Sequence, residues 1–545
     1  MEGKMDTKYD IIIIGAGPNG LEAGAYLSKA GQKVLTLEYR YECGGGLWTE
    51  ESTLPGFLHS THAVYMMMVD CGPLYSDFRL EEDYQVKHIY PDLQFAMPLL
   101  DGRCLCIYKD LERTCKSFAQ FSEKDAENYR EFYQLAKRCF DEFIGPATFA
   151  PPMGALDQIV RMKKTEVGRI VMEYSEKKPI DIIQEKFENE HIRTLLLYLA
   201  CHWGVKYDSI NLGFLVLLYL NRSHNYQLVK GGSHMVAQAI NKVIHQNNGL
   251  VKNNQRIKRI VVEDGEAKGV EMIDGTFYQA SKAVISTIDP IQTFIDLMRE
   301  GDIKEAFAKK TKNWKWESYS LFGVHSALME PPNFKAAEGN PDINRACVYI
   351  LGYEKLEDLI NHFDALYKGE MVEKLGFNCC FPSVHDPGLA PPGRCASQIS
   401  MMAPFNLKEG PEHWYNLKFK QETAKRCLEI LRRYAPNITE DKVLQSYIST
   451  PIDMQNKFLD MREGSYKQGA YIPFQMGFLR PNEDCSRNRT PVKKLYLGGA
   501  SVYPGGCVIW GPGYLAANSV AEDLGIEKWW KEQEFVTRAK ESGIL

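Results

Sequence analysis

Asp10-Ile11-Ile12-Ile13-Ile14-Gly15-Ala16-Gly17-Pro18-Asn19-Gly20-Leu21-Glu22-Ala23-Gly24 carries an apolar strand straight into glycines spaced G-x-G-x-x-G, with a helix-forming stretch behind them. Each glycine has a mechanical use at its position. Gly15 permits a tight turn, Gly17 lets the backbone approach a pyrophosphate, and Gly20 lets the helix pack closely on the strand. The helix that opens at Pro18 and Asn19 presents unpaired N–H groups and a partial positive charge to phosphates. A second strand, Lys33-Val-Leu-Thr-Leu-Glu38, ends in an acid at the chain distance expected of a carboxylate that binds an adenosine ribose. Strand, helix, second strand and acid in register predict a dinucleotide site on a doubly wound α/β unit.

The next residues choose among dinucleotides. Leu37-Glu38-Tyr39-Arg40-Tyr41-Glu42-Cys43-Gly44-Gly45-Gly46-Leu47-Trp48-Thr49 sets an arginine and a glycine run directly after the acid. Arg40 offers a planar donor fork, and Gly44-Gly45 offers backbone with no side chain to obstruct a phosphate. The stretch resembles the flavin-binding extension of the amine oxidase and phytoene desaturase superfamily, where such residues surround the FAD diphosphate. The resemblance implies FAD held by Gly15, Gly17, Pro18, Asn19, Gly20, Glu38, Tyr39, Arg40, Gly44, Gly45, Gly46 and Leu47. Many members carry Arg directly after the glycine pair. Gly46 stands there in this chain, which leans toward the desaturase-like branch.

Length and composition fit a large soluble enzyme. A chain of 545 residues exceeds what one hydrophobic core organises, so two intertwined domains are expected. The balance of 65 basic and 70 acidic residues gives a net charge of −5, which argues against a nucleic-acid partner. No run reaches the about eighteen apolar residues of a membrane span, and Leu212–Leu220 reads as a buried segment. Met1–Tyr9 has no apolar core, so no signal peptide is expected. Fourteen cysteines lack metal-ligand spacing and point to a reducing compartment, the cytoplasm by default. The absence of C-x-x-C argues against a dithiol flavoenzyme. No metal site is expected.

Element order supplies the rest. Ser122-Glu-Lys-Asp125 is a capping-box-like start, and Tyr129, Phe132, Tyr133, Ala136 and Phe140 follow as one stripe of an amphipathic helix. Further helices are expected to about Tyr219. Gly231-Gly232 opens another helix, and strand-like runs follow at 249–252, 255–262, 267–272 and 282–286. Asp264-Gly265 and Asp274-Gly275 are hairpin signals between them. As residues these give a helix and a small β-meander. By resemblance they form the second FAD segment, with the adenine meeting backbone near Ile257. Strand patterns at 319–328, 347–351, 377–381 and 395–402 predict an antiparallel sheet in a second domain. Pro382–Gly393 resembles a loop of the same family.

The third segment is Lys494-Leu-Tyr-Leu-Gly498-Gly499-Ala500-Ser501-Val-Tyr503-Pro-Gly-Gly506-Cys507-Val-Ile-Trp510-Gly-Pro512-Gly513-Tyr514. A strand delivers the chain to a glycine loop and then to a helix whose N-terminus is expected to face the flavin pyrimidine ring. Gly499, Ala500, Gly513 and Tyr514 join the cofactor candidates. Cys507 replaces a family glycine. The three segments together identify the chain as similar to phytoene desaturase-like FAD oxidoreductases, which include carotenoid desaturases, carotenoid isomerases and retinol saturases. The implied fold is α/β: a Rossmann-type, glutathione reductase-like FAD domain from 1–71, 223–290 and 483–545, interleaved with an α+β substrate domain from 72–222 and 291–482.

Catalytic candidates are His62, His202, Tyr503 and Cys507, with Met66-Met67-Met68, Trp203 and Trp510 as apolar lining. The expected reaction introduces or removes a carbon–carbon double bond in an apolar isoprenoid or alicyclic substrate, by hydride transfer at flavin N5. Three alternatives stay open: a flavin-assisted cis–trans isomerase without net redox, an amine oxidase, and a flavin-free relative that binds prenylated proteins. Glu38 and the complete C-terminal glycine segment oppose the last. Expected partners are an apolar small molecule and a separate electron acceptor or donor. Trp529-Trp530 and Phe535 read as a tail docked on the body, with peripheral membrane contact as the other reading. Oligomeric state is left open. Only one G-x-G-x-x-G unit lies on a strand–helix junction, so NADPH has no second Rossmann site. Micromolar NADPH alone should leave the flavin absorbance near 450 nm unbleached in an anaerobic titration, and stoichiometric bleaching would contradict this.

Overall fold

The structure is a computed structural model that describes residues 7–545. Strand β1 (Lys8–Ile14) is buried on both faces from Ile11 to Ile14, as a four-isoleucine run requires. It turns at Gly15 into helix α1 (Pro18–Lys29), with Pro18 at the first helical position, where a missing N–H costs nothing. A Cβ at Gly20 would stand 2.0 Å from the Gly15 carbonyl oxygen, so helix and turn touch backbone to backbone. The chain continues into β2 (Val34–Leu37), parallel to β1.

The first insertion then contributes β3 (Leu93–Pro98) and β4 (Cys104–Tyr108), followed by α2 (Glu123–Cys139), α3 (Glu190–Cys201) and α4 (Phe214–Arg222). The chain returns through α5 (His234–Gln246), β5 (Leu250–Lys252), β6 (Ile257–Glu263), β7 (Glu266–Met272) and β8 (Phe277–Ser286). The second insertion supplies β9 (Ser320–Leu328), β10 (Val348–Leu351), β11 (Phe377–Cys380), β12 (Cys395–Ala403) and β13 (Val443–Ser449). Last come β14 (Leu495–Leu497) and α6 (Pro512–Leu524).

Two seven-stranded sheets result. The first has the order β5–β2–β1–β8–β7–β6, with β14 beside β8. Its core pairs are parallel, while β6, β7 and β8 form an antiparallel meander. Register sets Leu37, Ile14, Ser286 and Leu497 side by side, so four parallel strands end at one edge. That edge is where open α/β sheets bind ligands. The second sheet runs β13–β9–β12–β11–β10–β3–β4.

Several expectations need correction. The 249–252 strand does not belong to the meander but lies parallel to β2. The second sheet is mixed, because β10 pairs β3 in parallel. The first insertion also yields β3 and β4, for which no strand was expected because their continuous burial hides any alternation. Ser122 does cap α2 by accepting the Asp125 N–H, but Asp125 does not reciprocate. Its buried carboxylate accepts the N–H groups of Glu188 and Asn189 instead and so docks the loop that opens α3. The C-terminal tail sits on the body: Trp529 stacks on Tyr26 at 5.7 Å and lies under Lys29, while Trp530 donates to Asn518.

Gly20→Ala should cost about 2–3 kcal/mol, because the Gly15 carbonyl cannot move without dislodging the turn. Urea unfolding of the FAD-free protein checks this, and an unchanged midpoint would show that the contact is soft.

Candidate active site

A cavity of about 520 Å³ begins at the carboxyl edge of the first sheet and extends to one face of the second. At its nucleotide end the wall includes Gly15, Gly17, Pro18, Asn19, Glu38, Tyr39, Arg40, Gly45, Gly46 and Ile257. Glu38 organises this end. One carboxylate oxygen accepts the Ala16 N–H at 2.8 Å and the other accepts the Arg40 N–H at 2.9 Å. Burial pushes the Glu38 carboxyl up, and those two N–H groups and the Arg40 charge oppose the shift.

The glycines divide into two kinds. A Cβ at Gly17 would meet nothing within 4 Å, and its φ of −70° suits any residue. The fold itself does not require glycine there; a ligand filling the space against the backbone does. Gly45, at φ +53°, touches Gly17 with a would-be Cβ 3.0 Å from its Cα. Gly44, Gly20 and Gly499 serve packing and do not line the cavity: their would-be Cβ atoms run into the Leu47, Gly15 and Thr287 carbonyl oxygens. Leu47 is fully buried behind them.

Charge fits an anionic ligand. The Arg40 guanidinium lies 4.1 Å over Trp48 and 4.8 Å over Phe458. Lys457, on the same wall, pairs with Glu50 and reaches Thr61 at 3.2 Å. Asp460 is pushed up to about 7 by burial and by Asp289 and Glu38, so it gives up much of its charge beside that ligand. No motif announced Lys457 or Asp460, because both arrive from the second insertion. The helix N-terminus at Gly17, the open backbone beside it, two cations and the Glu38 acid fit the diphosphate and ribose of FAD.

At the inner end, Ala500, Gly505, Gly506, Cys507 and Val508 form the wall. Cys507, Val508 and Trp510 hold positive φ of 75°, 54° and 59°, a conformation costing about 1–2 kcal/mol per residue. Buried groups hold this loop from below. A Cβ at Gly506 would lie 2.9 Å from the Lys467 Cα. Lys467 pairs with Glu317 at 2.8 Å, both fully buried. Arg480 donates to the carbonyls of Ala470, Gln475, Lys467, Gly469 and Ala500. Burial pushes the Cys507 thiol up to about 11, so it is a thiol at neutral pH.

Four more expected residues lie elsewhere. Tyr503 donates its hydroxyl to the Ala147 carbonyl and leaves the cavity wall. Trp510 is fully buried against Tyr75. Gly513 and Tyr514 pack on α1, and the Tyr514 N–H donates to buried Glu22 at 3.1 Å. The positive end of α6 is therefore met by a carboxyl of the protein, which sequence spacing did not reveal.

His62 and His202 do line the cavity. His62 sets its ring edge against Phe458 at 4.4 Å, and its Nε2 has no protein partner. Burial, followed by the charges around it, holds His62 well below the usual histidine range. His202 donates from Nδ1 to the Tyr198 carbonyl at 3.0 Å, which fixes its tautomer and leaves Nε2 as an acceptor. Burial lowers it to about 4. Tyr65, Met67, Trp203, Leu321 and Cys380 complete the apolar part of the wall.

Comparison with known proteins agrees with this geometry. A model of the Thi4 family matches residues 4–88, the segment around the first glycine turn. One of the subunits of limonene dehydrogenase from Castellaniella defragrans is 37% identical, covering 98% of this chain and 98% of its own. The neurosporene-forming phytoene desaturase of Rhodobacter capsulatus is 24% identical over 94% of each chain. A solved oxidoreductase from Methanosarcina mazei shares the fold at a TM-score of 0.60 and 19% identity, covering 94% of this chain and all of the other. Fold, cradle and relatives define an FAD-dependent oxidoreductase. More closely, the chain belongs to the phytoene desaturase-like branch of the FAD-dependent amine oxidase superfamily.

Gly17→Val should fold to within about 1 kcal/mol of the FAD-free wild type. It should bind FAD about 100-fold more weakly, because the side chain fills the space left for the diphosphate. Equilibrium dialysis and urea unfolding read the two effects separately; retained FAD affinity would refute the assignment of this turn.

Proposed function

We propose that this enzyme introduces a carbon–carbon double bond into an apolar isoprenoid or alicyclic substrate. The observation that carries the reading is His202, a buried histidine of the cavity wall held neutral, with one nitrogen fixed on the Tyr198 carbonyl and the other left as an acceptor. Bound FAD, held by Gly17, Glu38, Arg40, Gly45 and Gly46, supplies the two-electron acceptor. The chain's own residues supply alignment, exclusion of water and a destination for the proton. Met67, Trp203, Leu321 and Cys380 give a hydrocarbon skeleton a dry surface to pack against. His202 accepts the proton lost from the carbon beside the one that is oxidised.

The protonation state of the same histidine suits this role. A group lowered to about 4 is unprotonated at neutral pH, which is the form a proton acceptor must have. The names of the two curated relatives, a dehydrogenase and a desaturase, support this reading. The first works as one part of a larger enzyme, which supports a separate electron-accepting partner chain here.

His202→Gln should lower the rate of anaerobic flavin bleaching by an alicyclic alkene about 100-fold or more. In the wild type the unprotonated imidazole is required, so turnover should hold from pH 8 down through 6 and fall only toward about pH 4. An inflection near the ordinary histidine value, or ready oxidation of amines with no response to hydrocarbons, would overturn the assignment.

A further inference from the structure

The second sheet turns a polar row toward the cavity. Register aligns Ser449, Gly323, Ser400 and Asn378 straight across β13, β9, β12 and β11. All four line the cavity, and Gln398 joins them two residues along β12. Alternation along strands puts these residues on one face with Leu321 and Cys380. An enzyme wall meant only for hydrocarbon would be expected to continue those two. It does not.

The polar groups in this row are largely uncommitted. The side chains of Ser400 and Gln398 have no hydrogen-bond partner among the described residues, and both are partly accessible from the cavity. Asn378 donates its Nδ2 to the buried Tyr198 hydroxyl at 2.8 Å, which fixes the amide and leaves its carbonyl oxygen as a free acceptor. The same Tyr198 holds His202, so the row is tied to the proton acceptor through one residue. Beside the row on the same face, opposite Gln398, sits His325, 1% exposed, with neither ring nitrogen partnered. Its Nε2 lies 3.1 Å from where a Gly323 Cβ would stand, so a side chain at 323 would crowd the imidazole.

Charge narrows the ligand. The ionic side chains on the wall, Glu38, Arg40, Arg256, Lys457 and Asp460, belong to the nucleotide end or its rim. None stands in the polar row. A carboxylate or ammonium would find no counter-charge there, whereas a neutral oxygen would find a hydroxyl, an amide N–H and a fixed carbonyl acceptor.

We propose that the substrate is an oxygenated isoprenoid or alicyclic compound, carrying a hydroxyl or carbonyl that is bound by Ser400, Gln398 and Asn378 on the second sheet. This rests on the desaturase reading for the chemistry but not for the binding. A hydrocarbon of the same shape would cover three polar groups and satisfy none. A site built to hydrogen-bond a substrate oxygen rejects the analogue lacking it strongly, and about 100-fold is the least expected here.

The test uses the oxidised holoenzyme and three probes of one skeleton: p-menthane, menthol and menthone. Binding is read by quenching of Trp203 and by calorimetry, independent of turnover. Menthol or menthone should bind at least about 100-fold more tightly than p-menthane. Gln398→Met with Ser400→Ala should shrink that gap at least about tenfold and strengthen p-menthane binding. FAD absorbance and melting of the variant show whether it is folded, and Ser400→Ala alone serves if the pair is not. Equal binding of all three probes, or a gap that the variants leave intact, overturns the proposal. The two readings fail separately. Oxygenated probes that bind tightly while unsaturable analogues never bleach the flavin sink the desaturase reading alone; hydrocarbons bound and desaturated as well as alcohols sink the oxygen site alone.

Discussion

The buried carboxylate of Glu38 is the constraint on which the rest of the site depends. It accepts one N–H from the glycine turn and one from the loop carrying Arg40, so two separate chain segments meet at one acid. An unpaired buried carboxylate would be costly, and each N–H would be orphaned without it. Once those bonds form, Gly17 is exposed to the cavity, Gly45 presses against it, and Arg40 is carried over Trp48 and Phe458. The cradle is held together by bonds within the protein itself. Binding then has less conformational entropy to overcome.

At the opposite end the problem is strain. Three non-glycine residues in the left-handed region persist only where surroundings over-determine them. The surroundings are Lys467 with Glu317, and Arg480 with its five carbonyls, all removed from water. Breaking a buried pair of this kind leaves an uncompensated charge, so the arrangement is stiff rather than merely stable. Stiffness there keeps Cys507 and Val508 on the wall while Tyr503 and Trp510 turn into the core.

The cavity itself belongs to neither sheet. One wall is the carboxyl edge of the parallel strands, and the other is a face of the mixed sheet. His202 reaches the space from just beyond α3, and Lys457 comes from a short helix after β13. This division lets one half specify the cofactor and the other select what meets it. The polar row is a property of the second sheet alone.

Much of the first half was legible in the chain. The turn at Gly15–Gly20, the acid at Glu38 and the loop at Gly45–Gly46 are local devices, and local spacing encodes them because each acts on neighbours in sequence. The 264–265 hairpin and the α2 stripe were readable for the same reason. What escaped was every feature made by distant segments meeting. Two strands of the second sheet are buried throughout and carry no alternation, the α6 N-terminus is met by Glu22 across the molecule, and Lys457 reaches the cradle from the far insertion. By itself the sequence determined the cofactor class and its cradle, since phosphate recognition needs only a turn, a helix start and an acid at fixed spacing. Tertiary structure alone decided how His202 is held on the cavity wall and which polar side chains face it, because burial and strand register are set by contacts that no local pattern contains.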